Sequence, residues 1–226
     1  MKRDKIKSIV YDAMFLALFA IFTFVPYLGL YQIGPVSFTI LHLFVILGAS
    51  LFGYKKATLY GFFMGLMTLL KAISFPGTFD YFFVNPFISV LPRVLFGLCT
   101  GLIFDCLKKF LNQKQFIVAL IPASIFSAFL HTFLVVMCWY LFGILDPFYI
   151  TKALGLGELV KDMTFQTFVF SFLVRGSLVE ILIAGVIIPT LYGVVSKVFK
   201  IGLIKDKVKN TNLIENKIET QENNNY

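Results

Sequence analysis

The stretch from His42 to Leu66, HLFVILGASLFGYKKATLYGFFMGL, consists of two apolar runs joined by a short segment that carries two lysines. A membrane-spanning helix needs about 20 mostly apolar residues, and each run approaches that length when it is extended outward. We predict one span over Val36–Gly53 and another over Ala57–Leu70. Lys55 and Lys56 then lie in the loop between the two spans.

The composition indicates that most of the remaining chain also consists of membrane-spanning helices. Of 226 residues, 58% are hydrophobic and 14% are charged, whereas soluble domains carry about 25% charged residues. The mean hydropathy is +0.86, and four further spans are predicted: Ile9–Leu30, Val84–Phe104, Phe116–Ile144 and Arg175–Phe199. The sequence therefore predicts an all-α membrane protein with six transmembrane helices in residues 1–204. Residues 205–226 form a polar tail that is predicted to be disordered.

Two apolar segments need a separate interpretation. Met163–Val174 is too short for a seventh span, so we interpret it as part of the fifth loop or as an extension of the sixth helix. No small-residue cleavage site follows the first span, which is therefore expected to be retained.

The basic residues are distributed unevenly between the loops. Because lysine and arginine concentrate in cytoplasmic loops, a six-span protein with fifteen of them on one side has both termini in the cytoplasm. The fifteen are Lys2, Arg3, Lys5, Lys7, Lys55, Lys56, Lys108, Lys109, Lys114, Lys197, Lys200, Lys205, Lys207, Lys209 and Lys217. The net charge of +8 is then an orientation signal, helped by anionic membrane lipid, and it requires no nucleic-acid partner.

Arg93 stands in an apolar segment, where an arginine is energetically costly. At the centre of a membrane helix it costs about 2.5–3.5 kcal/mol on insertion scales, so it normally faces a partner or an aqueous cavity. Pro92, immediately before it, can kink the helix. Arg93 could extend to the membrane surface, pair with the buried acid Glu180, or bind an anionic group such as a carboxylate through its planar guanidinium.

Other polar residues in the apolar runs have both structural and ligand-binding interpretations. Asn85 can cap a helix or contact a substrate. His131, with Thr132 beside it, can form a helix-packing hydrogen bond or contact a ligand, whereas for His42 we favour packing. Glu180 can pair with an arginine, remain protonated, or accept hydrogen bonds from a polyol.

Several other function classes lack their motifs. Cys99, Cys106 and Cys138 lie in or beside apolar runs and indicate neither a disulfide framework nor a metal cluster. No third ligand at a suitable spacing joins the two histidines, so no metal site is expected. The chain has no P-loop, GxSxG or HExxH motif and no convincing internal repeat of the autonomous-transporter kind. The function class that remains is a small binding module that depends on other subunits for energy.

Three motifs give the sequence a resemblance to the substrate-binding S components of energy-coupling factor (ECF) vitamin transporters. The first is the pair Ala13 and Ala17, whose four-residue spacing lets another helix approach closely. The second is the glycine-rich stretch His42–Leu66, and the third is NPFISVLPRVLFGL, Asn85–Leu98. The third is most similar to the pantothenate-specific branch, although His131 stands where an asparagine is expected in that branch.

The resemblance implies a function and a set of partners. S components are multi-pass proteins of the bacterial plasma membrane that bind one vitamin near the outer face. They associate with a T component, on which Ala13 and Ala17 would dock, and with two cytoplasmic ATPases. The S component is then not an enzyme and carries no cofactor of its own, because the partner subunits hydrolyse ATP.

The most similar branch also implies a ligand. Pantothenate carries a carboxylate, which Arg93 would bind, and an amide and two hydroxyls, which Asn85, His131, Thr132 and Glu180 would bind. One alternative is another water-soluble vitamin, such as riboflavin or folate. An alternative from a different class is a channel-like protein, scaffold or membrane enzyme in which Arg93 and Glu180 form a structural pair.

Overall fold

The structure, a computed structural model, describes residues 2–33, 36–75, 83–145 and 165–198. Helices dominate this part of the chain, and a short hairpin lies between the first two. The helices are α1 (Lys2–Phe24), α2 (Leu41–Phe52), α3 (Tyr54–Ser74), α4 (Pro86–Ser89), α5 (Leu91–Phe110), α6 (Gln113–Leu145) and α7 (Phe165–Val198), and the strands are β1 (Leu30–Ile33) and β2 (Val36–Thr39). The predicted tail, 205–226, lies outside the described residues.

Five helical segments in the described residues are long and apolar enough to cross a membrane. They are Lys5–Phe24, Tyr54–Ser74, Pro86–Phe110, Gln113–Cys138 and Glu180–Val198. The helix α2 is also apolar but has only 12 residues. The chain is therefore a multi-pass helical membrane protein, as its composition predicts.

Two predicted span boundaries are wrong, one on each side of the hairpin. The sequence prediction extends the first span to Leu30 and starts the second at Val36, but these residues lie in β1 and β2. Pro26 has no N–H to donate and disfavours helical backbone in the residue before it, and Tyr27 has a φ of 58°. The chain then turns into two antiparallel strands, in which Leu30 pairs with Thr39.

The last helix resolves the two interpretations of Met163–Val174. Helix α7 begins at Phe165 and continues to Val198 as one helix of 34 residues. From Phe165 onward, the apolar stretch is therefore an N-terminal extension of the last helix rather than part of a loop, and its first two residues lie outside the described residues.

Helices α3 and α5 pack with their backbones close together because glycines lie in the contact. A Cβ atom added to Gly61 would lie 2.2 Å from the carbonyl oxygen of Arg93, and one added to Gly97 would lie 2.3 Å from the carbonyl oxygen of Ala57. Small residues allow this approach between membrane helices. The contact fixes the backbone of α5 at Arg93.

Helix α1 attaches to α3 along one edge. The ring of Phe15 is buried and stacks on Tyr60, with ring centroids 4.3 Å apart. The carboxylate of Asp12 accepts a hydrogen bond from the Tyr60 hydroxyl at 3.0 Å and forms an ion pair with Lys56. Lys56, which the sequence prediction places in a loop, thus lies in the first turn of α3 and connects it to α1.

Candidate ligand-binding site

Four buried polar residues from four helices form one group, which we name the polar cluster: Arg93, His42, His131 and Glu180. Each has an exposed fraction of 7% or less. The side-chain ligand atoms of His42, His131 and Glu180 lie within 4.8 Å of one another, and Arg93 is near enough to His131 and Glu180 for its charge to act on both; the ring of Phe96, one turn after Arg93 on α5, contacts His131. Three of the predicted substrate-binding residues therefore share a site, and His42 joins them.

The guanidinium of Arg93 is held from one side. Its Nη1 donates a hydrogen bond to the carbonyl oxygen of Ile88 at 2.6 Å, and its Cζ lies 4.5 Å from the centre of the Phe83 ring. Its buried Nε has no hydrogen-bond partner in the described residues. Pro92 does not kink a continuous helix, because α4 ends at Ser89 and Pro92 lies in the first turn of α5. Arg93 therefore stands at the start of α5.

Glu180 is anchored by groups other than an arginine. Its Oε1 accepts a hydrogen bond from the backbone N–H of Thr39 at 2.9 Å, and its Oε2 accepts one from the hydroxyl of Thr132 at 3.2 Å. In the part of the chain that the structure describes, Arg93 and Glu180 form no direct ion pair. The first bond connects α7 to the end of β2, so Glu180 holds the base of the hairpin.

The two histidines of the cluster stack on each other. Their ring centroids are 5.1 Å apart with an interplanar angle of 13°, and the Phe96 ring meets His131 edge-on at 5.0 Å. Among the described residues, no nitrogen of either ring has a hydrogen-bond partner. The Thr39 carbonyl lies close to the His42 ring, but the contact falls short of hydrogen-bond geometry. The packing hydrogen bond favoured for His42 therefore has a candidate partner in the Thr39 backbone, at a geometry longer or more bent than a regular hydrogen bond.

Asn85 has the capping role that the sequence suggests as one of two interpretations. Its side-chain oxygen accepts a hydrogen bond from the backbone N–H of Phe87 at 2.9 Å, at the start of α4. This oxygen is thus already engaged in the cap. Thr132, a second predicted contact residue, is half-buried and donates its hydroxyl to Glu180.

The cluster contains the residue types that bind transition metals. Two imidazoles and a carboxylate form common zinc sites, and the fold supplies Glu180 as the third ligand that the sequence spacing does not reveal. However, the guanidinium of Arg93 brings a fixed positive charge to the same site, which disfavours a cation. The arrangement fits an anionic or neutral polar molecule better than a metal ion.

Comparison with known proteins identifies the family. A family model described as "ECF transporter, substrate-specific component" matches residues 7–192. The chain belongs to this family. A curated relative of this S component is the pantothenate transporter PanT of Leuconostoc mesenteroides, which is 35% identical over 121 residues. The match covers 51% of this chain and 58% of that relative.

Ala13 and Ala17 lie on an open face of the S component. Both are exposed, whereas Phe15 and Phe19 of the same helix are buried against the core. Helix α1 therefore points its large aromatic residues inward and its small residues outward. The face that the sequence suggests for docking is thus not covered by another described part of the chain.

Two contributions to the site of this S component were not predicted from the sequence. His42 joins the cluster, and the backbone of Thr39 holds Glu180 although 141 residues separate them. The scarcity of histidine is a signal that could have identified His42, because the chain has only two histidines and both stand in apolar runs. Nothing in the sequence indicates the Thr39 contact.

Proposed function

We propose that this chain is the vitamin-binding S component of an ECF-type importer and that its ligand is pantothenate. The observation that carries the proposal is the buried guanidinium of Arg93, which has an unpartnered Nε and no directly paired carboxylate among the described residues. A buried charge is costly unless it is paired. The carboxylate of a ligand would supply that pair, and the family and the name of the relative support pantothenate as its source.

The remaining polar groups suit the rest of the ligand. Glu180 and His131 would bind the amide and hydroxyl groups, while Thr132 would orient Glu180 and contribute its hydroxyl oxygen. Asn85 would contribute through its amide nitrogen, because its oxygen caps α4. The rings of Phe83 and Phe96 would provide apolar contact area.

We propose six membrane crossings with both termini in the cytoplasm. Helix α2 is about 18 Å long, which is short of the roughly 30 Å hydrocarbon core, and the hairpin at its N-terminal end would complete the second crossing. The polar cluster then lies toward the outer face, near the start of α2 and of α5. A vitamin could enter there from outside.

Transport would depend on other subunits. The exposed Ala13 and Ala17 face supports docking of α1 on a T component, which in turn binds two cytoplasmic ATPases. The chain itself would catalyse no reaction and need no cofactor, because ATP hydrolysis belongs to those partners.

The direct experiment identifies the small molecule. Protein purified in detergent without added ligand should release pantothenate when it is denatured and examined by mass spectrometry. Isothermal titration of ligand-depleted protein should then give one site for pantothenate and none for riboflavin or folate. Release of a different vitamin, or absence of pantothenate binding, would contradict the proposal.

A further inference from the structure

The stacked pair of His42 and His131 has unsatisfied hydrogen-bonding capacity inside the protein. Both rings are buried, with exposed fractions of 1% and 4%, and their four nitrogens have no partner among the described residues. Buried polar groups are nearly always hydrogen-bonded in native proteins. A small shift would let the Thr39 carbonyl accept one N–H from His42, but the other three nitrogens would still lack a partner.

The chemistry of these nitrogens differs from that of the rest of the cluster. A neutral imidazole has one donor and one acceptor nitrogen, whereas a guanidinium only donates and an ionised carboxylate only accepts. The histidine pair is therefore the part of the polar cluster that can both donate and accept. A hydroxyl group has the same dual character, so hydroxyls match this pair better than a carboxylate or an ammonium group does.

We propose that His42 and His131 together form a hydroxyl-binding subsite that takes the diol end of the ligand. This inference rests on the proposed function, since pantothenate carries its two hydroxyls at the end opposite its carboxylate. With its carboxylate at Arg93, the ligand has one orientation: it extends from the start of α5 toward the stacked histidine rings between α2 and α6. His42 is then a residue that determines specificity for a hydroxylated ligand.

The test combines a ring substitution with a ligand that lacks one hydroxyl. His42→Phe keeps an aromatic ring in the stack and removes both nitrogens. Isothermal titration would measure pantothenate, an analogue without the terminal hydroxyl, and the carboxamide analogue. Loss of a hydrogen bond to a buried partner should weaken binding of the deoxy analogue to the native protein roughly ten- to hundred-fold.

The variant should lose part of that discrimination selectively. We expect His42→Phe to bind pantothenate more weakly than the native protein does and to discriminate less against the deoxy analogue, because only His131 of the pair remains, while it still prefers the acid over the carboxamide. Thr100→Val is the matched control, because it removes another buried, unpartnered polar atom from α5 outside the cluster. It should discriminate as the native protein does.

A second measurement does not require any variant to fold. Because the chain has only two histidines, protein labelled with ¹⁵N-histidine and purified through a histidine-free tag gives ring signals from this pair alone. Pantothenate should shift the ring nitrogens of both residues. The deoxy analogue should shift them less.

Three results would overturn the subsite. One is a His42→Phe variant that discriminates against the deoxy analogue as strongly as the native protein does, and another is the absence of ring-nitrogen shifts while pantothenate binds. The third is a stoichiometric divalent metal in the purified protein that the variant loses, which would indicate a metal site. In each case pantothenate binding by the native protein would leave the proposed function intact, whereas its absence would refute that function.

Discussion

Replacing Arg93 with lysine would keep the positive charge and remove the planar guanidinium. In the structure, Nη1 donates to the Ile88 carbonyl at 2.6 Å and Nε has no partner among the described residues, so the remaining N–H groups would hold a ligand carboxylate. A hydrogen bond to a charged group contributes roughly 1.5–3 kcal/mol, and each 1.4 kcal/mol is about tenfold in affinity. We expect Arg93→Lys to weaken pantothenate binding about ten- to hundred-fold.

Arg93→Ala should weaken pantothenate binding more than Arg93→Lys does, because it removes the positive member of the buried charge pair that Arg93 would form with the ligand carboxylate. Such truncations cost roughly 2–5 kcal/mol, which corresponds to about thirty-fold to several-thousand-fold. Isothermal titration would compare pantothenate with its carboxamide analogue. The native protein should bind the carboxamide poorly, and the Arg93→Ala variant should bind both molecules equally weakly. Lys109→Ala, which removes an exposed charge at the other end of α5, is the control and should behave as the native protein does.

Two results would count against this assignment. One is an Arg93→Ala variant that loses affinity for acid and carboxamide in the same proportion. The other concerns stability: in a structural pair, Glu180→Gln should restore the thermal stability lost in Arg93→Ala. We expect no such rescue, because the Glu180 oxygens accept hydrogen bonds from Thr39 and Thr132 instead.

Three further predictions follow from the helices. Ala17→Leu should abolish co-purification with a T component and leave vitamin binding unchanged, because Ala17 is exposed in the chain itself; unchanged co-purification and uptake would remove the docking face. In a cysteine-free background, a cysteine near Gly157 should react with an impermeant thiol reagent in intact cells and one near Lys55 should not; the reverse labelling would contradict the topology. Gly61→Ala should lower the melting temperature of the purified protein, since a Cβ there would lie 2.2 Å from the Arg93 carbonyl oxygen and overpacking costs about 1–3 kcal/mol; an unchanged melting temperature would show that α3 and α5 can separate without cost.

The helical segments could be predicted from the sequence where a long apolar run coincides with one helix. This works for α3 and α6, whereas the predicted span Val84–Phe104 covers α4 and only part of α5, and the prediction fails between α1 and α2. There Leu30, Val36 and Phe38 are apolar and continue the hydropathy of the flanking helices, so hydropathy does not separate a hairpin from a helix. The local signals are Pro26 and the glycine at position 34, and membrane helices tolerate both residue types.

The site could be predicted only in part, because its polar side chains can be recognised in the sequence whereas their hydrogen-bond partners cannot. Arg93, His131 and Glu180 are conspicuous as polar residues in apolar runs, and the fold brings them together. Their partners are not conspicuous. The opposite charges of Arg93 and Glu180 suggest a direct ion pair. In the structure, each side chain instead forms a hydrogen bond with a backbone group, the Ile88 carbonyl for Arg93 and the Thr39 N–H for Glu180. Backbone groups are present in every residue, so these bonds cannot be predicted from residue types.

The contacts of Asp12 with Lys56 and Tyr60 join the first helix to the helix that packs against Arg93. Asp12 precedes the outward-facing Ala13 by one residue, and its two partners lie on α3. Gly61, the residue after Tyr60 on α3, lies against the carbonyl oxygen of Arg93. The small-residue face of α1 is therefore connected to the backbone of Arg93 through two successive helix contacts, α1 with α3 and α3 with α5, without an intervening loop.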